Sequence, residues 1–181
     1  MESRIYIETE RLYVRQWEEE DLHPFYKLNS SPKVMRFYPN LLSRKESDNF
    51  VCKASSQIDE NGYSFWAIEL KESSKLIGTM GIADVHFKEH FTPAVEIAWR
   101  LASQYWGFGY ATEAAKAVFD YGYKELNLKE IVSFTVPENK RSIRVMEKIG
   151  LSRDPQRDFY HPKLPREHRL SRHVLYRTLK D

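Results

Sequence analysis

EIAWRLASQYWGFGYATEAAKAVFDYGY, residues Glu96 to Tyr123, changes character twice along its length. Glu96-Ile-Ala-Trp-Arg-Leu101 reads as a strand, and Ala102 to Gly109 reads as a turn. A helix is expected from about Tyr110 to Tyr123, with Ala111, Ala114, Ala115, Val118 and Phe119 on its buried face. Gly107 and Gly109 allow a tight backbone path with no Cβ in the way. The first-turn amides of the new helix lack intrahelical acceptors, and the helix dipole adds positive potential at the same place. Strand, glycine turn and helix in that order predict an anion seat for a phosphate or pyrophosphate.

Three glycine patterns build such seats. A Walker loop needs GxxxxGK[ST], and no such run occurs. A dinucleotide fingerprint needs GxGxxG, and Thr112 stands at its last glycine. The third pattern is [Q/R]xxGxG/A, and Gln104-Tyr-Trp-Gly107-Phe-Gly109 fits it. In this stretch the chain resembles the acetyl-CoA-binding motif of the GCN5-related N-acetyltransferases (GNAT). YWGFGYATEA, the opening TERLYVRQW and the later VMRFYP are similar to the ribosomal-protein N-terminal acetyltransferase branch of that superfamily. PENKRSIRVMEKIGL resembles the family's second coenzyme-contacting segment, NxxSxxxxxKxGF, with Leu151 in place of the aromatic. The resemblance runs from about Thr9 to Leu179.

Composition agrees with a globular domain. The chain has 181 residues, 41% apolar and 30% charged, which suits one domain, placed at residues 9–179. A net charge of +2 gives no argument for nucleic acid. A lone cysteine, Cys52, forms no internal disulfide, fits a reducing compartment and reads as a packing residue. MESRIYIETE lacks the basic start and apolar run of a signal peptide, and no apolar stretch reaches membrane length. A cytoplasmic protein is expected. No repeat, low-complexity segment or linker is evident.

From the start, Thr9 to Gln16 alternates as a strand, with Leu12 and Val14 opposed to Arg11, Tyr13 and Arg15. Glu18-Glu-Glu-Asp21 opens a helix that ends at Ser30-Ser31-Pro32, its acids facing solvent. Ser43-Arg-Lys-Glu46 is a capping box for a second helix; for Phe37 and Tyr38 in the loop before it the resemblance implies acceptor contact, core packing being the equal alternative. Tyr63–Leu70 and Lys75–Val85 read as a hairpin, with Gly78 and Gly81 marking a bulge or a close backbone approach. His86 and His90 fall in a polar loop without a third ligand, so no metal site is expected. Glu130 to Val136 is a strand, and Asn139 caps a helix carrying Ile143, Val145, Met146 and Ile149 that Gly150 closes. Asp158 to Pro162 reads as a loop, and Arg169–Leu179 as a last strand with Val174 and Tyr176 opposed to Leu175.

The element order predicts a mixed α/β domain around one sheet. The resemblance implies the GNAT fold: a mostly antiparallel central sheet with splayed middle strands and helices on both faces. It implies that acetyl-CoA is the acetyl donor. Its arm would pair with the backbone of Trp99, Arg100 and Leu101 like an added strand, with an oxyanion donor at the amide near Trp99 or Arg100. Its pyrophosphate would sit on Gln104, Gly107, Phe108, Gly109, Tyr110, Ala111 and Thr112. Asn139 would contact the pantetheine arm, and Arg141 and Arg144 lie near its phosphate end.

Chemistry adds two candidates. Glu96, on the strand near the split, is the candidate general base acting through water, a structural hydrogen bond or ion pair being the alternative. Many relatives place a tyrosine acid seven residues after the asparagine, where Met146 stands here. Ser142, three residues after Asn139 as in the N-terminal-acetylating branch, is instead the candidate donor to the thiolate, local bonding being the alternative. Near pH 7 roughly a tenth of protein α-amines are neutral, against well under a thousandth of lysine amines, which inclines the acceptor toward an N-terminal α-amine. Small-molecule amines (amino acids, polyamines, aminoglycosides) remain open, as do a non-catalytic acyl-CoA-binding module and a nucleotide-binding domain. The quaternary state is monomer or homodimer, with no nucleic-acid or membrane partner expected.

Overall fold

The computed structural model describes residues 4–178. In chain order these form β1 (Ile5–Glu8), β2 (Leu12–Arg15), α1 (Leu22–Asn29), α2 (Arg44–Asn61), β3 (Phe65–Leu70), β4 (Lys75–Asp84) and β5 (Val95–Leu101). There follow α3 (Tyr110–Lys124), β6 (Val132–Thr135), α4 (Lys140–Lys148), β7 (Ser152–Arg153), β8 (Phe159–Tyr160) and β9 (Arg172–Arg177). The sheet order is β1-β2-β3-β4-β5-β6-β9-β7, with β8 on β9 alone. Among the described residues β5–β6 is parallel and every other pairing is antiparallel.

Adjacent residues of β3 show that helices cover both faces. Phe65 packs on Phe50 of α2 at 5.7 Å between ring centroids, while Trp66 meets Tyr121 of α3 edge-on at 5.6 Å. Gly81 follows from close packing: a Cβ there would lie 1.9 Å from the carbonyl oxygen of Ser64, the residue before β3. At Gly122 a Cβ would lie 2.8 Å from Ile82 and from Ile131, so α3 settles directly on the sheet. Ser43 and Glu46 form the expected reciprocal cap of α2, and Gly150 has the left-handed φ of +92° that closes α4.

Several sequence expectations need correction. Thr9 is a turn residue, not a strand start: its hydroxyl accepts the Leu12 amide at 3.0 Å, and an additional strand, β1, folds back on β2. Asp21 does not face solvent. Its carboxylate takes Nη1 and Nη2 of buried Arg15 at 2.7 and 2.9 Å, and Arg15 Nε reaches Glu69 at 2.6 Å. Cys52 is exposed, because the buried stripe of α2 runs through Ser47, Val51, Ala54 and Ile58, and Cys52 stands one residue off it. Phe159-Tyr160 is a short strand on β9, and the last strand begins at Arg172. Leu179, its expected end, lies outside the described residues.

The Arg15–Asp21–Glu69 group ties β2, the entry to α1, and β3 on a face closed to water. Removing one partner of such a group strands a buried charge. Arg15→Met should therefore lower unfolding stability by about 3–5 kcal/mol in urea titrations. Lys124→Met, at the exposed i,i+4 pair with Asp120, should change it by less than about 0.5 kcal/mol.

Candidate active site

Strands β4 and β5 stay in register over seven residue pairs, from Asp84 opposite Val95 to Gly78 opposite Leu101. On its other edge β5 meets β6 at a single pair, Glu96 opposite Val132. One side-chain bond extends that contact, from Ser133 Oγ to the Ile97 carbonyl at 2.8 Å. Beyond it the two parallel strands separate, as the resemblance implied. Backbone parity then decides which groups border the gap. Ala102 N donates to Ile77 O on the β4 side at 2.9 Å, whereas the Ile97 carbonyl faces β6. Backbone groups alternate sides along a strand, so Trp99 turns its N–H and C=O toward the gap and Arg100 turns its own toward β4. The Leu101 carbonyl is taken by Trp106 Nε1 at 2.8 Å.

Both strands end at helix N-termini. After β5 the turn passes through Gly107 and Gly109, with φ of +91° and +86°. Gly109 is the N-cap of α3, and its carbonyl accepts the Glu113 amide at 3.0 Å. The amides of Tyr110, Ala111 and Thr112 belong to the helix's unpaired first turn. An acidic residue there would ordinarily compete with a bound anion, but Glu113 is engaged elsewhere. It accepts Thr9 Oγ1 at 2.7 Å, the Arg11 amide at 2.9 Å and Arg11 Nε at 2.7 Å. These partners hold its carboxyl below the usual range against a burial effect that raises it. Arg11 also donates Nη1 to the Phe108 carbonyl at 3.1 Å and lies over the Tyr110 ring at 4.5 Å. One guanidinium thus fixes the glycine turn and the helix start together. Neither Arg11 nor Glu113 stood out in the sequence, because 102 residues separate them and each satisfies a local pattern of its own.

After β6, Asn139 caps α4, accepting the Ser142 amide at 3.4 Å. Its Nδ2 donates to Thr135 Oγ1 and to Ser142 Oγ, each at 3.0 Å. Ser142 Oγ is therefore an acceptor in this local bond, and its own proton is free to be donated. Arg144 lines a concavity of about 360 Å³ with Lys140, Glu147, Arg153 and Tyr176. Arg141, by contrast, stands over the Trp106 ring at 4.7 Å, beside the glycine turn. Gln104 and Phe108 are exposed on that turn, Phe108 stacked on Tyr110.

Glu96 shares a sheet face with Ala98 and Arg100, opposite Ala83 and Thr79 of β4. Burial pushes its carboxyl up to about 7, with no cation or hydrogen bond among the described residues offsetting it. Beside it on this face lies an aromatic cluster of Val132, Phe91, Phe134, Phe159 and Phe87. His173 packs into the cluster, where burial pushes its pKa down to about 4. Tyr38, from the α1–α2 segment, lies over the Arg100 guanidinium at 4.3 Å, while Phe37 stacks with Arg36. Among the described residues no helix is long and apolar enough to cross a membrane.

A mostly antiparallel sheet that splays between two parallel strands, each leading to a helix N-terminus and one through a glycine turn, defines an acetyltransferase of the GNAT class. Residues 11–152 match the family described as "Acetyltransferase (GNAT) domain", and the chain belongs to it. It is 36% identical over 151 residues to the uncharacterised N-acetyltransferase YnaD of Bacillus subtilis, covering 83% of this chain and 84% of that protein. It is 28% identical over 143 residues to the spermidine N(1)-acetyltransferase of Escherichia coli, covering 77% and 72%. A GNAT-family acetyltransferase structure from Bacillus anthracis superposes with a TM-score of 0.79 at 31% identity, covering 97% of this chain and 98% of that one. The protein is an N-acetyltransferase.

The raised Glu96 pKa has a consequence for stability. Between about 4.5 and 7 the folded carboxyl holds a proton that the unfolded one has lost, so stability falls as pH rises through that window. Glu96→Gln should remove this dependence. Unfolding titrations should show variant and wild type converging below pH 4.5, with the variant gaining roughly 1–3 kcal/mol above pH 7.

Proposed function

We propose that the protein moves the acetyl group of acetyl-CoA to a primary amine by direct attack, and that a protein or peptide N-terminal α-amine is the acceptor. The observation that carries this reading is the gap between β5 and β6, bordered by the Trp99 backbone and flanked by the first turns of α3 and α4. The unpaired amides of Tyr110 to Thr112 suit the pyrophosphate, and the left-handed glycines keep side chains off it. The Trp99 backbone suits the pantetheine arm.

Glu96 takes a proton from the ammonium through a water molecule. The neutral nitrogen attacks the thioester carbon, and the oxyanion formed is held by the Trp99 amide. The carbon–sulfur bond then breaks, Ser142 supplies a proton to the departing thiolate, and the second proton lost by the attacking nitrogen returns through water to Ser142, leaving the amide and the free thiol. A base with a pKa of about 7 is matched to an α-amine at about 8 and poorly matched to one near 10.4. The similarity to the E. coli spermidine N(1)-acetyltransferase motivates the second reading, a small polyamine acceptor.

The test is thiol release from acetyl-CoA with a panel of N-terminal peptides and small amines. Wild-type kcat/KM should rise through about pH 7, and Glu96→Gln should lower it by about 10²-fold or more while losing that limb. A variant with an unchanged pH profile removes Glu96 from the mechanism. If none of the amines supports thiol release, an acyl-CoA-binding module is what remains. Arg11→Met should raise the KM for acetyl-CoA by about tenfold or more with a smaller change in kcat, because the glycine turn loses its tie to Phe108 and Glu113.

A further inference from the structure

Arg100 is a half-buried cation with an unusual set of neighbours. Its Nη1 donates to Asn29 Oδ1, and Asn29 in turn donates to Ser47 at 2.9 Å, so the chain of partners is neutral. Tyr38 lies over the guanidinium at 4.3 Å, and Phe50 is 5.8 Å away. Arg100 Nε is buried without a hydrogen-bond partner among the described residues. No carboxylate among them lies within the 4.0 Å of an ion pair. The contrast with Arg15, which is held by two carboxylates on the same sheet face, is direct. A guanidinium taken out of water with neutral partners only is incompletely compensated, and its planar fork suits a carboxylate.

The surroundings have the same sign. The segment from Ser30 to Ser43, which holds Tyr38, contains Lys33 and Arg36 and no acid. The segment from His161 to Ser171 contains Lys163, Arg166 and Arg169 against Glu167. Arg169 Nη2 joins the two segments by donating to the Arg36 carbonyl at 2.9 Å. Glu96 and Arg100 sit on one face of β5, four residues and about 13 Å apart at Cα. An acceptor reaching both would carry its anion several bonds from its amine.

We propose that Arg100 determines acceptor choice by binding a carboxylate carried on the acceptor amine, so that the substrates are carboxylate-bearing amines and not polyamines. This rests on the acetyl-transfer reading above. Two sources present such chemistry: free dipeptides, through their C-terminal carboxylate, and longer chains with an acidic N-terminal residue.

The experiment compares matched acceptors with wild type and Arg100→Gln. Dipeptides are set against their C-terminal amides, peptides starting with Asp or Glu against those starting with Asn or Gln, and spermidine is included. Wild type should prefer the carboxylate member of at least one pair by about tenfold or more in kcat/KM. The pair that discriminates identifies the source. In Arg100→Gln that ratio should collapse toward one, because the rate on the acid falls further than the rate on the amide. Equal use of both members by wild type, an unchanged ratio in the variant, or faster turnover of spermidine overturns the proposal. If no amine releases thiol, the acetyl-transfer reading fails, and Arg100 is judged by binding alone. Its 15N Nε resonance should then shift with the acid member of one of these pairs and not with its neutral partner; a shift with both members, or with neither, overturns the assignment.

Discussion

The structure depends on how briefly β5 and β6 touch. One parallel pair, Glu96 with Val132, and one serine bond to Ile97 hold the two strands together. A longer ladder would satisfy the Trp99 backbone within the protein and leave no edge for a ligand. A complete absence of contact would leave α3 and α4 without a common base. The short contact gives both helix N-termini the same outlook, over the carboxyl ends of two strands. Two sets of unpaired amides converge there without any cationic side chain being required.

Such a seat must also be rigid, and its rigidity comes from far away in the chain. The glycine turn has little to stiffen it: Gly107, Phe108 and Gly109 are all exposed. Arg11 compensates by holding the Phe108 carbonyl, the Tyr110 ring and the Glu113 carboxylate at once. The same contact neutralises Glu113, so a helix whose first turn contains an acid still presents positive potential. The N-terminal hairpin therefore contributes to the site although none of it borders the gap.

On the face shared by Glu96 and Arg100, three ionisable groups meet different fates. Arg15 has two carboxylates and is structural. Glu96 has no partner among the described residues, and burial pushes its carboxyl up to about 7. Arg100 has neutral partners only. Burial without compensation is costly, and Glu96 and Arg100 carry that cost on the strand that borders the gap.

Much of the architecture was legible because it is written in local physics. The alternation of Leu12 and Val14, the Ser43–Glu46 cap, the Gly107–Gly109 turn and the Asn139 cap each depend on neighbours a few residues away. The start of α2 and the boundaries of α3 and α4 were therefore close to those observed. Misreadings arose where a local pattern served a distant partner. Asp21 looked like a solvent-facing helix acid until Arg15 was seen beside it, and Thr9 looked like a strand residue because its turn bond to Leu12 leaves no periodic trace. By itself the sequence determined the helices, most of the strands, the glycine turn and the family resemblance, since these follow from propensity, capping and spacing. Only the tertiary structure decided that Arg11 and Glu113 lock that turn, that Arg141 and not Arg144 stands over Trp106 beside it, and that Glu96 and Arg100 have no counter-ion among the described residues. Those outcomes depend on which residues, up to 102 positions apart, the fold brings side by side.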